Sequence, residues 1–164
     1  MHRLSSLPYR DRTRAERELA ALAPHLPPAV QNRFDLLLAG SPAPEQGLHY
    51  FTRLREEHAG AFDRLTRSAI GLRHLVAVFT YSRFLAEEIL EHPGWAEQLL
   101  DPADLQRVSN VEDLRTSLEA AQPAGLPPPV ELAKFRRRQI LRIMVRDVMG
   151  IARRSQKFAN LNWL

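Results

Sequence analysis

Residues 134–150 read KFRRRQILRIMVRDVMG, a stretch that combines six basic side chains with many aliphatic ones. At 100° per residue, five aliphatic side chains gather on one face of the predicted helix: Ile140, Leu141, Met144, Val148 and Ile151. Such a pattern can belong to a nucleic-acid-binding surface, to a membrane surface or to a structural helix packed in a protein core. The positions of the arginines and the rest of the chain discriminate among these three interpretations.

The arginines favour the structural interpretation. Arg138, Arg142 and Arg146 form a stripe opposite the aliphatic face, whereas Arg137 falls on that face, where an unpaired guanidinium is costly. A surface-lying membrane helix has two cleanly divided faces, and a DNA recognition helix offers more base-reading amides and hydroxyls than Gln139 alone. We therefore expect a helix packed between others. Its arginines should pair with carboxylates from one short segment: Glu87, Glu88 and Glu91.

The charge distribution agrees with internal pairing. Net charge is +4, but residues 84–133 carry ten acidic and two basic side chains, and residues 134–164 carry nine basic and one acidic. Two such segments can neutralise each other within one fold, so we do not expect a nucleic-acid partner. The chain has no cysteine and no apolar run long enough to cross a membrane, which predicts a cytoplasmic protein without membrane contact.

Nearly every other segment has helical periodicity and helix-end signals. The predicted helices and helix starts are 11–23, 28–39, 44–58, 61–80, a Ser82-capped helix ended by Pro93, starts at Asp101-Pro102 and at a Ser109–Glu112 capping box, and a last helix from Pro129 or Val130 to about Met149 with Gly150 as its C-cap. Residues 122–130 (QPAGLPPPV) have the composition of a stiff linker. The predicted fold class is all-α, an irregular multi-helix bundle.

The residues that carry catalysis or bind metals are missing from the sequence. The six histidines have neither i, i+4 pairing nor HExxH spacing; His74 is expected to be a hydrogen-bonded core residue and His92 to lie at a helix end. No glycine-rich phosphate-binding motif is present, and no Asp-x-Asp pair could hold Mg²⁺ for nucleotidyl transfer. We expect no catalytic, cofactor-binding or metal-binding residue in this chain.

Two stretches, SRFLAEEILEHPGWAEQLL (82–100) and LAKFRRRQILRIMVRDVMGIA (132–152), together resemble the N-terminal helical region of the bacterial glutamine synthetase adenylyltransferase/deadenylylase family. The matching motif residues are Ser82, Phe84, Leu85, His92, Pro93 and Trp95, then Leu132, Phe135, Arg136, Arg137 and Arg138. Residues 41–54 (SPAPEQGLHYFTRL) resemble the preceding helix of that family. The resemblance implies a helical domain at 28–152, preceded by an N-terminal extension at 1–27 and followed by an unmatched tail at 153–164.

The resemblance implies a function in nitrogen regulation. Enzymes of this family use ATP and Mg²⁺ to transfer AMP to a tyrosine of glutamine synthetase, and they also remove it; a PII-type signalling protein and glutamine regulate them. The family's first Asp-x-Asp motif lies beyond the arginine helix, so the chain reads as a fragment truncated before it and catalytically inactive. Glutamine synthetase and a PII-type protein are the implied partners. A further possibility is that the fragment itself still binds one of them without catalysis.

The alternative is a free-standing basic helical module that binds nucleic acid or an acidic protein. It is favoured by a sequence pI of about 10.1 and by further basic residues in the tail, namely Arg153, Arg154 and Lys157.

Overall fold

The computed structural model describes residues 2–101, 105, 110–121 and 129–150. All regular elements in these residues are helices, so the all-α prediction is confirmed. The chain forms two compact units, Met1–Leu100 and Asp101–Leu164. The domain limits at residues 27, 28 and 152, which follow the extent of the resemblance, stay a prediction.

The first unit is a bundle of short helices, and the second contributes two described helices. In chain order the first unit comprises α1 His2–Ser5, α2 Arg12–Leu22, a 3₁₀ turn Ala23–His25, α3 Pro28–Ala39, α4 Pro44–Glu57, α5 Ala59–Arg67, α6 Ala69–Tyr81, α7 Arg83–Glu91 and α8 Pro93–Gln98. The described helices of the second unit are α9 Val111–Ala121 and α10 Pro129–Val148.

Local signals set most of these helix boundaries. The Asp11 carboxylate accepts the N–H of Arg14 at 2.9 Å and caps α2. Pro28 and Pro44 occupy first-turn positions, where a missing N–H costs nothing. Gly150 adopts a left-handed φ of 65° just after α10, which confirms it as the residue that ends this helix.

The predicted helix at 61–80 is wrong, because it is two helices separated at Ser68. Ser68 has extended backbone angles (φ −73°, ψ 126°), and its hydroxyl accepts the N–H of Gly71 at 3.1 Å to cap α6. A Cβ on Gly71 would lie 2.5 Å from the carbonyl oxygen of Leu65, so the corner between α5 and α6 requires glycine there. Ile70, two residues after the break, is 39% exposed.

The predicted capping box of α9 is displaced by one residue. Asn110 Oδ1 accepts the N–H of Asp113 at 2.8 Å, and Asp113 Oδ2 accepts the N–H of Asn110 at 3.1 Å. Asparagine and aspartate therefore replace the expected Ser109 and Glu112 pair in the same reciprocal geometry. The predicted Asp101-Pro102 helix start and most of the 122–130 linker lie outside the described residues.

The core of the first unit is built around aromatic rings of α3, α4 and α6. Phe51 packs edge-to-face against Phe34 at 4.9 Å and against Phe79 at 5.0 Å between ring centroids. Leu48, Phe51 and Leu54 of α4 are fully buried. Helix α4 contacts α2, α5, α6 and α7, so it is the central element on which the other helices pack.

Helix α10 buries less of its surface than its sequence predicts. Its buried side chains are Leu141 and Val145, one turn apart, whereas Ile140 is 39% and Ile143 54% exposed. The expectation of a broad buried face that includes Ile140 is therefore wrong. Burial follows a single i, i+4 row, and the half-buried Arg137 lies one turn before Leu141 in that row.

Candidate functional site

The first motif forms the corner between α7 and α8. The Ser82 hydroxyl accepts the N–H of Leu85 at 3.2 Å and caps α7. His92 ends α7 by donating its backbone N–H to the carbonyl oxygen of Glu88 at 2.9 Å, which confirms its predicted place at a helix end. Pro93 is the first residue of α8, and the Trp95 ring lies 4.5 Å from the His92 imidazole. These residues define a turn between helices.

Phe84 is the motif residue that does not serve the corner. Its ring is 53% exposed, next to the 59% exposed Tyr81 at the end of α6. The structure therefore places this aromatic motif residue on the surface of the first unit.

The second motif lies in the first half of α10. The Arg138 guanidinium is 5.7 Å from the centroid of the Phe135 ring, a cation–π distance. Arg136 is exposed, whereas Arg137 is half-buried. The three consecutive arginines therefore have three different environments, because successive helical residues point 100° apart.

Glu87, one of the expected partners of the arginines of α10, is bound by Arg53. Arg53 Nη1 donates to the two carboxylate oxygens of Glu87 at 2.7 and 2.9 Å, and the Tyr50 hydroxyl donates at 3.0 Å. The hydrogen bond from Arg53 lowers the pKa of Glu87, and burial, reinforced by the hydrogen bond to Glu87, raises the pKa of Tyr50. This network ties α4 to α7.

His74 confirms the prediction of a core histidine. It is 6% exposed, and a hydrogen bond joins its imidazole to the backbone of Leu99. Burial is the largest cause that lowers its pKa to about 4, and the neighbouring positive charge of Arg73 lowers it further. The ring is therefore neutral at physiological pH and fixes the end of the first unit against α6.

A trio of potential ligands was missed by the sequence analysis, which sought histidine pairs. One ligand atom from each of Glu88, Glu91 and His92 lies within 4.8 Å of the others. The signal was a histidine with glutamates one and four residues before it, which share one helix end. Carboxylate and imidazole are ligands for first-row divalent metals, but no second observation in the described residues points to a cation there.

Ion pairs within the first unit and within α9 offset part of the basic charge that motivated the nucleic-acid alternative. The N···O distances are 2.7 to 3.0 Å, and the pairs are Arg12–Glu16, Arg14–Glu18, Arg53–Glu57, Arg64–Glu97 and Arg115–Glu119. Exposed pairs of this kind add little stability, yet each removes a cation from the field that would attract phosphates. None of the helices in the described residues has the length and hydropathy of a membrane span.

Comparison with known families covers the region of both motifs. The family model described as glutamate-ammonia ligase adenylyltransferase matches residues 72–164, more than half of the chain. The chain belongs to this family. The match begins within α6 and includes residues 153–164, which the motif comparison left unaligned, whereas the resemblance of residues 28–71 stays a prediction.

One curated relative extends the comparison. The bifunctional glutamine synthetase adenylyltransferase/adenylyl-removing enzyme of Nitrosococcus oceani is 34% identical over 92 residues. The aligned part is 53% of this chain and 10% of that enzyme, so the chain spans about a tenth of the relative's length. No solved structure matches the chain.

Proposed function

We propose that this chain is a helical scaffold region of a glutamine synthetase adenylyltransferase/deadenylylase and has no catalytic activity of its own. The observation that carries the proposal is the family match over residues 72–164, which contains both motifs. Several motif residues shape helix ends, as Ser82 and Pro93 do. The sequence has no Asp-x-Asp pair to hold Mg²⁺, so the chemistry must belong to another part of the enzyme.

The remaining features of the proposal follow the family. The whole enzyme uses ATP and Mg²⁺ to attach AMP to a tyrosine of glutamine synthetase and also removes it, in the cytoplasm, under control of a PII-type signalling protein. The chain's own contribution is to hold the catalytic domain. The exposed Ile140 and Ile143 of α10 support this role, because exposed large apolar side chains favour contact with another protein surface.

The absence of catalysis is tested by label transfer. Purified chain is incubated with glutamine synthetase, Mg²⁺ and ATP labelled in the α-phosphate, and the Nitrosococcus enzyme serves as the positive control. We expect labelled glutamine synthetase with the control enzyme only. Label transfer by the chain itself would show that it contains a complete active site and would overturn the proposal.

The scaffold role is tested by binding to a separately expressed nucleotidyltransferase domain of the family. We expect Ile143→Asp to weaken this binding, since it places a charge on the exposed apolar side of α10. Val111→Asp is the matched control, because Val111 is 83% exposed on α9 and outside that surface. Equal binding by the two variants and the unaltered chain would rule out α10 as the contact.

A further inference from the structure

A cleft of about 770 Å³ lies in the first unit, where the segment 7–10 passes the N-terminal ends of α4 and α7. This volume is in the range of small-molecule sites, about 300–1,000 Å³. Part of its wall is apolar and is made by prolines: Pro8, Pro42 and Pro44. Arginines from two separate parts of the sequence also line it: Arg10 and Arg14 near α2, and Arg83 at the start of α7. The cleft therefore combines apolar and cationic walls.

The positive charge of the cleft is only partly compensated. Glu45, the carboxylate that lines it, accepts the backbone N–H groups of Arg10 at 3.3 Å and Asp11 at 3.1 Å. In the described part of the chain, no carboxylate lies within ion-pair distance of the Arg10 or Arg83 guanidinium. Gln46 fixes Arg83 by accepting its Nε–H at 2.9 Å, which orients the cation without neutralising it.

The Tyr9 side chain lines the cleft, but its hydroxyl is enclosed. The Tyr9 hydroxyl is buried and has no hydrogen-bond partner among the described residues. Burial, with the charges of Asp35 and Glu45, raises the pKa of Tyr9 to about 12, so the hydroxyl keeps its proton at neutral pH. Arg14 donates its Nε–H to Glu18 at 3.0 Å, and His49 Nδ1 lies 3.4 Å from the same carboxylate oxygen, so the charge of Arg14 is compensated within the first unit.

We propose that this cleft binds a small organic anion, whose phosphate or carboxylate group is held by Arg10 and Arg83 and whose apolar part lies against the prolines. Planar guanidinium groups form paired hydrogen bonds with both kinds of anion. The inference does not depend on the proposed scaffold function, because all lining residues except Arg83 precede the start of the family match at residue 72.

The proposal is tested by calorimetric titration of the intact chain with three probes that share one ring. Phenyl phosphate and benzoate carry the two anionic groups, and benzamide is the neutral counterpart. We expect saturable one-site binding of at least one anion and none of benzamide. The stronger anion identifies the class of ligand, and absence of saturable binding by both anions would overturn the proposal.

Charge reversal locates the binding. Arg10→Glu and Arg83→Glu should each weaken the binding about tenfold or more, because each removes a charged hydrogen bond to the anion. Arg33→Glu is the matched control, since Arg33 is exposed on α3 and does not line the cleft, yet its reversal changes the net charge equally. An equal loss in the control would show general electrostatic attraction in place of a site.

Discussion

Helices α6 and α10 both carry many aliphatic side chains, but α6 buries nine of its thirteen residues whereas α10 buries two of its twenty. The difference lies in the spacing of the cations. In α6 the charged Arg73 is exposed, and the one titratable group that is buried, His74, is neutral. In α10 arginines recur on every side, and each needs water or a partner. Within this chain, the helix whose cations are fewer buries more of its aliphatic side chains.

The largest effect expected from this comparison concerns truncation of a side chain on each helix. Phe79→Ala should lower the free energy of unfolding by about 3–5 kcal/mol, because it leaves a cavity beside Phe51 and Tyr50. Ile143→Ala on α10 should change it by about 0.5 kcal/mol or less, since Ile143 is 54% exposed. Urea denaturation measures both values, and comparable losses would contradict the burial difference between the helices.

The second expected effect is the pH dependence that His74 gives to the first unit. The unfolded chain binds a proton at the ordinary histidine pKa of 6.5, whereas burial lowers the folded-state pKa to about 4. Stability is therefore complete above pH 6.5 and falls as the pH decreases from 6.5 to 4, by about 3 kcal/mol at most. Denaturation curves between pH 7.5 and 4 measure this loss.

Carboxylates also titrate in the lower part of this pH range and change the stability of the folded chain. The contribution of His74 is therefore isolated by comparison with a variant that has no ionisable side chain at position 74. His74→Gln keeps a polar side chain that does not ionise in this range. The difference between the two proteins in the free energy of unfolding should therefore change with pH from 6.5 down to 4. A constant difference would mean that His74 is accessible to protons in the folded chain.

The sequence predicts the helices best where both ends carry local signals. Helix α3 has the predicted limits because Pro28 suits a first turn and Gly40 follows the last one. The sequence did not predict the break at Ser68, because apolar periodicity continues through α5 and α6. The close approach of Gly71 to Leu65 that accompanies the break is visible only in the structure. The sequence did not predict the one-residue shift of the α9 capping box, because serine and asparagine are both favoured as N-caps and local preference does not distinguish Ser109 from Asn110.

The candidate sites were predicted less completely, for a related reason. The motif residues are contiguous in the sequence, so their similarity to the family was readable, but the corner formed by Ser82 and Pro93 needed coordinates. The basic cleft joins Tyr9, Arg10 and Arg83 across more than seventy positions of the chain, and no local pattern connects them. Sites assembled from distant segments depend on packing that a single sequence does not reveal.

The smallest effect, and the sharpest test of how α10 uses its arginines, compares two neighbours. Arg137 is half-buried in the row of Leu141 and Val145, whereas Arg136 is exposed. Arg137→Ala should therefore cost about 1–2 kcal/mol more than Arg136→Ala, which is less than the 3–5 kcal/mol of a fully buried pair because water still reaches the guanidinium.

Both substitutions remove one positive charge from the same turn and leave equal helix propensity, so general electrostatics and propensity cancel in the difference. The difference in the free energy of unfolding then reports how the Arg137 side chain packs beside Leu141 and Val145 and what its guanidinium binds. Equal free energies of unfolding for the two variants would mean that Arg137 adds nothing to that row beyond an ordinary surface charge. The half-buried position would then be explained by the aliphatic part of the side chain alone, which lies along apolar surface whatever its charge does.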